Sequence, residues 1–181
     1  MKTIAKFILH TLLGWKIIGN FPKDLKKYVI IAAPHTHWLD FPLGISVKYA
    51  QGTPVNYIGK ASLFKPPFGF IFRWLGGVPV NRSESTNKVQ AIVDVFNSRE
   101  KFILALSPEG TRKKIDTWKT GFYYIAKGAN VPIVLGTLDF ENKQVKISEP
   151  YNLTGDLEKD FEHFYDYFRG VKGKIPENFN L

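Results

Sequence analysis

The sequence contains no cysteine. That excludes disulfide scaffolds, zinc–thiolate sites, iron–sulfur clusters and cysteine nucleophiles. It has no apolar run of the roughly 20 residues needed to span a bilayer. It has no Gly-rich dinucleotide fingerprint and no phosphate-loop lysine motif. A Gly-x-Ser-x-Gly nucleophile elbow is also missing, and Ser107 precedes a proline outside any such context. Acidic residues are comparatively few, with 16 Asp plus Glu against 25 Lys plus Arg, a net charge of +9. Such a chain favours anionic partners: nucleic acid, an anionic membrane face or phosphorylated substrates. The 181 residues suit one domain, and 44% hydrophobic with 15% aromatic residues supply a core.

The amino terminus reads MKTIAKFILHTLLGWKIIGN. Ile4, Phe7, Ile8, Leu12, Trp15 and Ile18 recur at helical spacing, which predicts an amphipathic helix over residues 1–20. Lys6, His10 and Lys16 interrupt the apolar character, and no small-x-small cleavage site follows it. Two uses suit this helix. It can lie in a membrane interface with Trp15 at the boundary, or it can pack on the core.

Beyond residue 20 short apolar runs alternate with helical patterns. Strands are predicted at 28–33, 55–58, 78–80, 102–106 and 131–137, with 145–147 pairing beside the last. Helices are predicted at 40–49, 86–97, 120–128 and 156–168. The layout is α/β, with a mainly parallel or mixed sheet flanked by helices and an amphipathic helix ahead of it. No linker or repeat divides residues 21–181.

Polar residues gather where the apolar strands end, the edge at which open α/β sheets bind ligands. They are His35, Thr36, His37 and Asp40; Asn81 and Arg82; and the run from Ser107 to Arg112. A carboxylate at Asp40 can accept a proton from one nitrogen of His35 and leave the other as a base. Asp40 as a plain helix cap, with His35 a loop histidine, is the simpler alternative. A metal site of His35, His37 and Asp40 is a third, poorly supported because only His10 and His163 remain.

Read together, these segments resemble the glycerolipid acyltransferases, the family of 1-acylglycerol-3-phosphate acyltransferase (PlsC-type). Pro34-His-Thr-His-Trp-Leu-Asp40 is similar to its His-x-x-x-x-Asp motif. The block from Gly59 and Lys60 to Gly77 and Arg82, Ser107-Pro-Glu-Gly-Thr-Arg112, and Lys119-Thr-Gly121 with Val131-Pro-Ile-Val134 resemble the later motifs, in order, over about residues 28–138. The departures are Pro34 in the usual place of Asn, and Ala-Ser after Lys60. The resemblance implies acyl transfer from a thioester to the hydroxyl of a lysophospholipid, most simply 1-acylglycerol 3-phosphate to give phosphatidic acid. It implies His35 as general base oriented by Asp40, with no metal and no bound cofactor. Glu109, Gly110 and Thr111 are expected against the acceptor, Arg82 and Arg112 on its phosphate, and Lys60 and Lys119 nearby. Acyl-CoA or acyl carrier protein is the implied donor. The implied location is a membrane surface, the cytoplasmic face of the inner membrane if the source is bacterial. A lyso-aminolipid acceptor, a thioesterase, or a non-enzymatic basic module binding membrane or nucleic acid are the alternatives; no nucleic-acid motif is visible. The aromatic segment 63–75 is expected to line an acyl tunnel, to dip into the bilayer, or to pack in the core.

Overall fold

The computed structural model describes residues 2–80 and 88–181. Five strands form one parallel sheet in the order β4-β3-β5-β2-β6. They are β2 (Lys27–Ala33), β3 (Val55–Lys60), β4 (Gly77–Val80), β5 (Phe102–Leu106) and β6 (Ile133–Thr137). All five were expected as strands, 28–33 and 102–106 from their unbroken apolar character, because a parallel sheet covered on both faces needs no polar alternation; the run 145–147 lies outside this sheet and meets its last strand through an antiparallel bridge of Ile147 to Gly136.

Successive residues of β2 supply both faces. Val29, Ile31 and Ala33 pack with Phe96, Phe122, Phe164 and Phe168, under α4 (Lys88–Ser98), α5 (Gly121–Ala129) and α6 (Leu157–Phe168). Tyr28 and Ile30 pack with Leu43, Val47 and Ala50 of α2 (Asp40–Gln51). The α6 start follows its sequence: Asp156 caps it by accepting the N–H groups of Glu158 and Lys159. Asp160, within α6, is fully buried and accepts from the Tyr123 and Tyr151 hydroxyls and from the N–H and hydroxyl of Thr154. These bonds outweigh burial and hold its carboxyl below the usual range.

The amino terminus departs from expectation. Helix α1 (Lys2–Phe7) continues as a wider turn over Ile8–Leu12 and then stops, short of residue 20. Gly14 turns with φ of 69°, and Lys16–Ile18 forms β1, parallel to β7 (Gln144–Lys146). Trp15 is buried edge-on against Phe140 rather than placed at a membrane boundary, and Leu9 is buried with it. A glycine in the left-handed region and a strand partner 128 positions away outweigh the helical period. The other stripe residues, Ile4, Phe7, Ile8, Leu12 and Ile18, stay exposed. Among the described residues no helix is long and apolar enough to cross a membrane.

Candidate active site

Strands β2 and β5 are direct neighbours, with Ile31 opposite Leu106. The chain leaving each strand therefore emerges at the same edge, and this register brings His35 to Glu109 across 74 residues of sequence. His35 Nδ1 lies 3.0 Å from Asp40 Oδ2. The same oxygen accepts the His37 N–H at 2.9 Å, so Asp40 closes the loop it terminates. A proton on His35 Nδ1, donated to the carboxylate, leaves Nε2 as the acceptor. Asp40 is buried, and its Oδ1 has no protein donor among the described residues. An acceptor is thus left open beside the histidine.

Glu109 is only 2% exposed. Its carboxylate accepts the His35 backbone N–H at 2.9 and 3.0 Å and the Ser107 hydroxyl at 2.7 Å. Burial pushes its carboxyl above the usual range, against the opposing pull of those bonds. Glu109 therefore holds the His35 backbone and does not line the cavity that His35 and Asp40 share. His37 turns away as well: its Nδ1 accepts the Leu39 N–H at 3.3 Å. No group of three or more metal-ligating side chains occurs among the described residues.

His35 and Asp40 line a cavity of about 710 Å³ together with Gly110, Thr111 and Arg112. Away from this polar mouth its walls are Ile30, Ala32 and Ala105 from the sheet, Gly44, Ile45 and Val47 from α2, and Val55 and Ile58 from β3. A site of this size, mostly apolar in its lining but with His35, Asp40, Thr111 and Arg112 among its polar groups, suits a mostly hydrocarbon ligand. No local sequence pattern marks this wall as a unit, since its residues come from separate elements. Its one signal was Gly44, a glycine inside a helix, where a side chain would otherwise stand in the open space of the cavity. Lys48 also lines the wall. Its ammonium donates to the Leu75 carbonyl at 2.7 Å, and burial lowers its affinity for the proton.

The remaining expected residues divide. Lys119 is exposed and arches over Gly110, whose φ is 64°; a Cβ there would stand 2.9 Å from Lys119 Nζ. Lys60 ends β3 at the same sheet edge, exposed and outside the cavity wall. Arg82 lies outside the described residues. Segment 63–75 does not line the cavity. It forms a short 3₁₀ turn, Ala61–Phe64, and helix α3 (Gly69–Trp74), which hold Phe70 and Trp74 outward at 68% and 63% exposure. Phe64 alone of its large apolar groups is buried, because Gly59, Gly69 and Gly77 leave room around it.

Known proteins are similar to this chain in sequence and fold. A 1-acyl-sn-glycerol-3-phosphate acyltransferase of Escherichia coli (strain K12) is 26% identical over 152 residues, covering 80% of this chain and 61% of the relative. The chain thus spans about three-fifths of that relative's length. The crystal structure of the 1-acyl-sn-glycerophosphate (LPA) acyltransferase PlsC from Thermotoga maritima superposes with a TM-score of 0.65. That match covers 94% of this chain and 76% of the other at 22% identity, and it shows a common fold. The acyltransferase family model matches residues 16–135, a stretch that holds the His35–Asp40 pair, the Ser107–Arg112 loop, four of the five strands of the sheet and the start of β6; the chain belongs to the acyltransferase family.

Proposed function

We propose that this protein transfers a fatty acyl group from a thioester to the free hydroxyl of 1-acylglycerol 3-phosphate, giving phosphatidic acid. The observation that carries this reading is the His35–Asp40 pair standing at the polar mouth of the apolar cavity. His35 Nε2 takes the hydroxyl proton as the oxygen attacks the thioester carbon. The tetrahedral intermediate collapses by breaking the carbon–sulfur bond, and the departing thiolate receives the proton from His35. No acyl-enzyme forms and no cofactor takes part. General-base help of this kind is worth roughly 10²–10⁴ in rate.

The acyl chain of the thioester lies along α2 between Ile30, Ala32, Gly44 and Ile45. Arg112 at the mouth meets the acceptor phosphate, since a guanidinium fork matches phosphate oxygens. Lys119, over Gly110, adds charge on the same side. The donor is acyl-CoA or acyl-carrier protein, both thioesters on anionic carriers that suit a chain of charge +9.

The acceptor resides in a bilayer, and the exposed apolar residues suit contact with one. Ile4, Phe7 and Leu12 project from the amino-terminal helix, Phe68, Phe70 and Trp74 from the α3 region, and Trp38 stands beside the site. Helix α1 packs on α2, and the Trp74 ring lies 6.0 Å from that of Tyr49 on α2. Both apolar patches thus flank the helix that carries Asp40. Aromatic rings with Lys65 and Arg73 among them suit the headgroup boundary of a membrane surface.

The testing experiment is thiol release from a radiolabelled acyl thioester with a panel of lysolipids. Phosphatidic acid formed only with 1-acylglycerol 3-phosphate supports the reading. Transfer to a lyso-aminolipid alone replaces the acceptor, and free fatty acid without acceptor identifies a thioesterase.

A further inference from the structure

We infer that the carboxy-terminal segment, residues 172–175, is a strap that positions His35 from behind, with Thr36 and Gly173 as its positioning residues. The inference rests on the proposed reaction only for its kinetic consequences. Thr36 is 2% exposed, and its hydroxyl oxygen accepts the Ile175 N–H at 3.2 Å, across 139 residues of sequence. Gly173 comes closer still. A Cβ on it would stand 2.5 Å from Thr36 Oγ1, 2.8 Å from Thr36 Cγ2 and 3.0 Å from Pro34 Cβ. The strap therefore touches both residues that flank His35. Thr36 is short and β-branched, so its side chain has no slack to give.

The strap is anchored at both ends. On one side the Phe140 N–H donates to the Lys172 carbonyl at 2.8 Å, and Lys172 pairs with Glu141 at 2.7 Å. On the other, Phe179 lies against Trp118, and the Asn180 amide donates to the Ile115 carbonyl at 2.9 Å. His35 is then held in three ways: its ring by Asp40, its N–H by Glu109, and its neighbours by the strap. A base must meet its hydroxyl within a fraction of an ångström, so a loop displaced by a few tenths loses rate without losing substrate affinity.

Three variants of the full chain decide this: Gly173→Ala, Thr36→Val and Thr36→Ser. Each is measured for turnover, for KM of both substrates, and for the downfield NMR signal of the His35 Nδ1 proton bonded to Asp40. With four histidines in the chain that signal is assignable. Gly173→Ala and Thr36→Val are expected to lower kcat tenfold or more with KM within twofold, and to broaden or shift the Nδ1 proton. Thr36→Ser keeps the acceptor oxygen and is expected to stay near the parent in both. A wild-type Nδ1 signal in Gly173→Ala and Thr36→Val overturns the inference, whatever their melting temperatures. If Gly173→Ala does not fold, Thr36→Val and Thr36→Ser decide alone, and equal behaviour of the two overturns it. If the parent protein transfers no acyl group, the proposed reaction falls while the Nδ1 signal still decides the strap.

Discussion

Glu109 holds the backbone N–H of His35 through both carboxylate oxygens, while Asp40 holds its ring. One histidine is thus gripped by two buried carboxylates with separate tasks. In the proposed mechanism Asp40 sets the tautomer, and Glu109 sets where the residue stands.

Removing either grip has a distinct expected result. His35→Ala abolishes acyl transfer with the fold retained, since a base is lost and little packing. Asp40→Asn lowers turnover by about 10²–10⁴, because an amide stabilises the imidazolium poorly. Glu109→Ala leaves the His35 N–H without its partner and costs roughly 1–3 kcal/mol of stability together with turnover. Thiol release and urea unfolding of the three variants separate these effects. A folded His35→Ala protein with parental turnover would refute the mechanism.

Phosphate recognition is tested at Arg112. Arg112→Ala is expected to raise KM for 1-acylglycerol 3-phosphate about tenfold, equivalent to roughly 1.5 kcal/mol for one bond to a charged group. KM for a dephosphorylated acceptor should hardly change. Arg82 is expected from the sequence to behave alike. Equal effects on both acceptors would remove Arg112 from phosphate binding.

Gly44 offers a test in which stability and function move oppositely. A Cβ there meets nothing within 4 Å, and the residue lies inside α2 on the cavity wall. Gly44→Leu should stabilise the helix by up to about 1 kcal/mol through propensity. It should also fill the cavity and shift the preferred acyl donor to shorter chains. Relative rates for donors of graded chain length, with a thermal melt, check both. An unchanged chain-length profile would place the acyl chain elsewhere.

Membrane contact must be probed by point changes, because Leu9 and Trp15 are core residues and deleting the amino terminus would open the fold. Phe7→Ser with Leu12→Ser, and Phe70→Ser with Trp74→Ser, should each reduce pelleting with anionic vesicles and slow transfer to bilayer lysolipid. Activity on a short-chain soluble acceptor should suffer less. High salt should weaken only the electrostatic part of binding. Pelleting equal to the parent for both pairs would show that neither patch meets the membrane.

Asp160 governs part of the acid stability. Its folded carboxyl is held below its unfolded value by bonds from Thr154, Tyr151 and Tyr123. The stability it contributes is therefore complete above about pH 4 and is lost as pH falls through the folded value. Asp160→Asn should cost roughly 3 kcal/mol at neutral pH and flatten the acid limb of a stability–pH profile. A limb as steep as the parent's would assign acid unfolding to other groups.

The parallel sheet was legible in the sequence because strands buried on both faces are written as unbroken apolar runs: 102–106 is expected and found without change. The His35–Asp40 pair was legible because both partners sit on one short loop, five positions apart, where local chain geometry decides the contact. What tertiary structure alone decided lies at long separation. Trp15 left its helical stripe for Phe140 because β1 found β7. Glu109 went under His35 because β2 and β5 are neighbours in register, and no local pattern records which strands pair. The cavity has the same origin: Gly44, Ile30 and Val55 lie on three separate elements, and only their packing leaves a space between them.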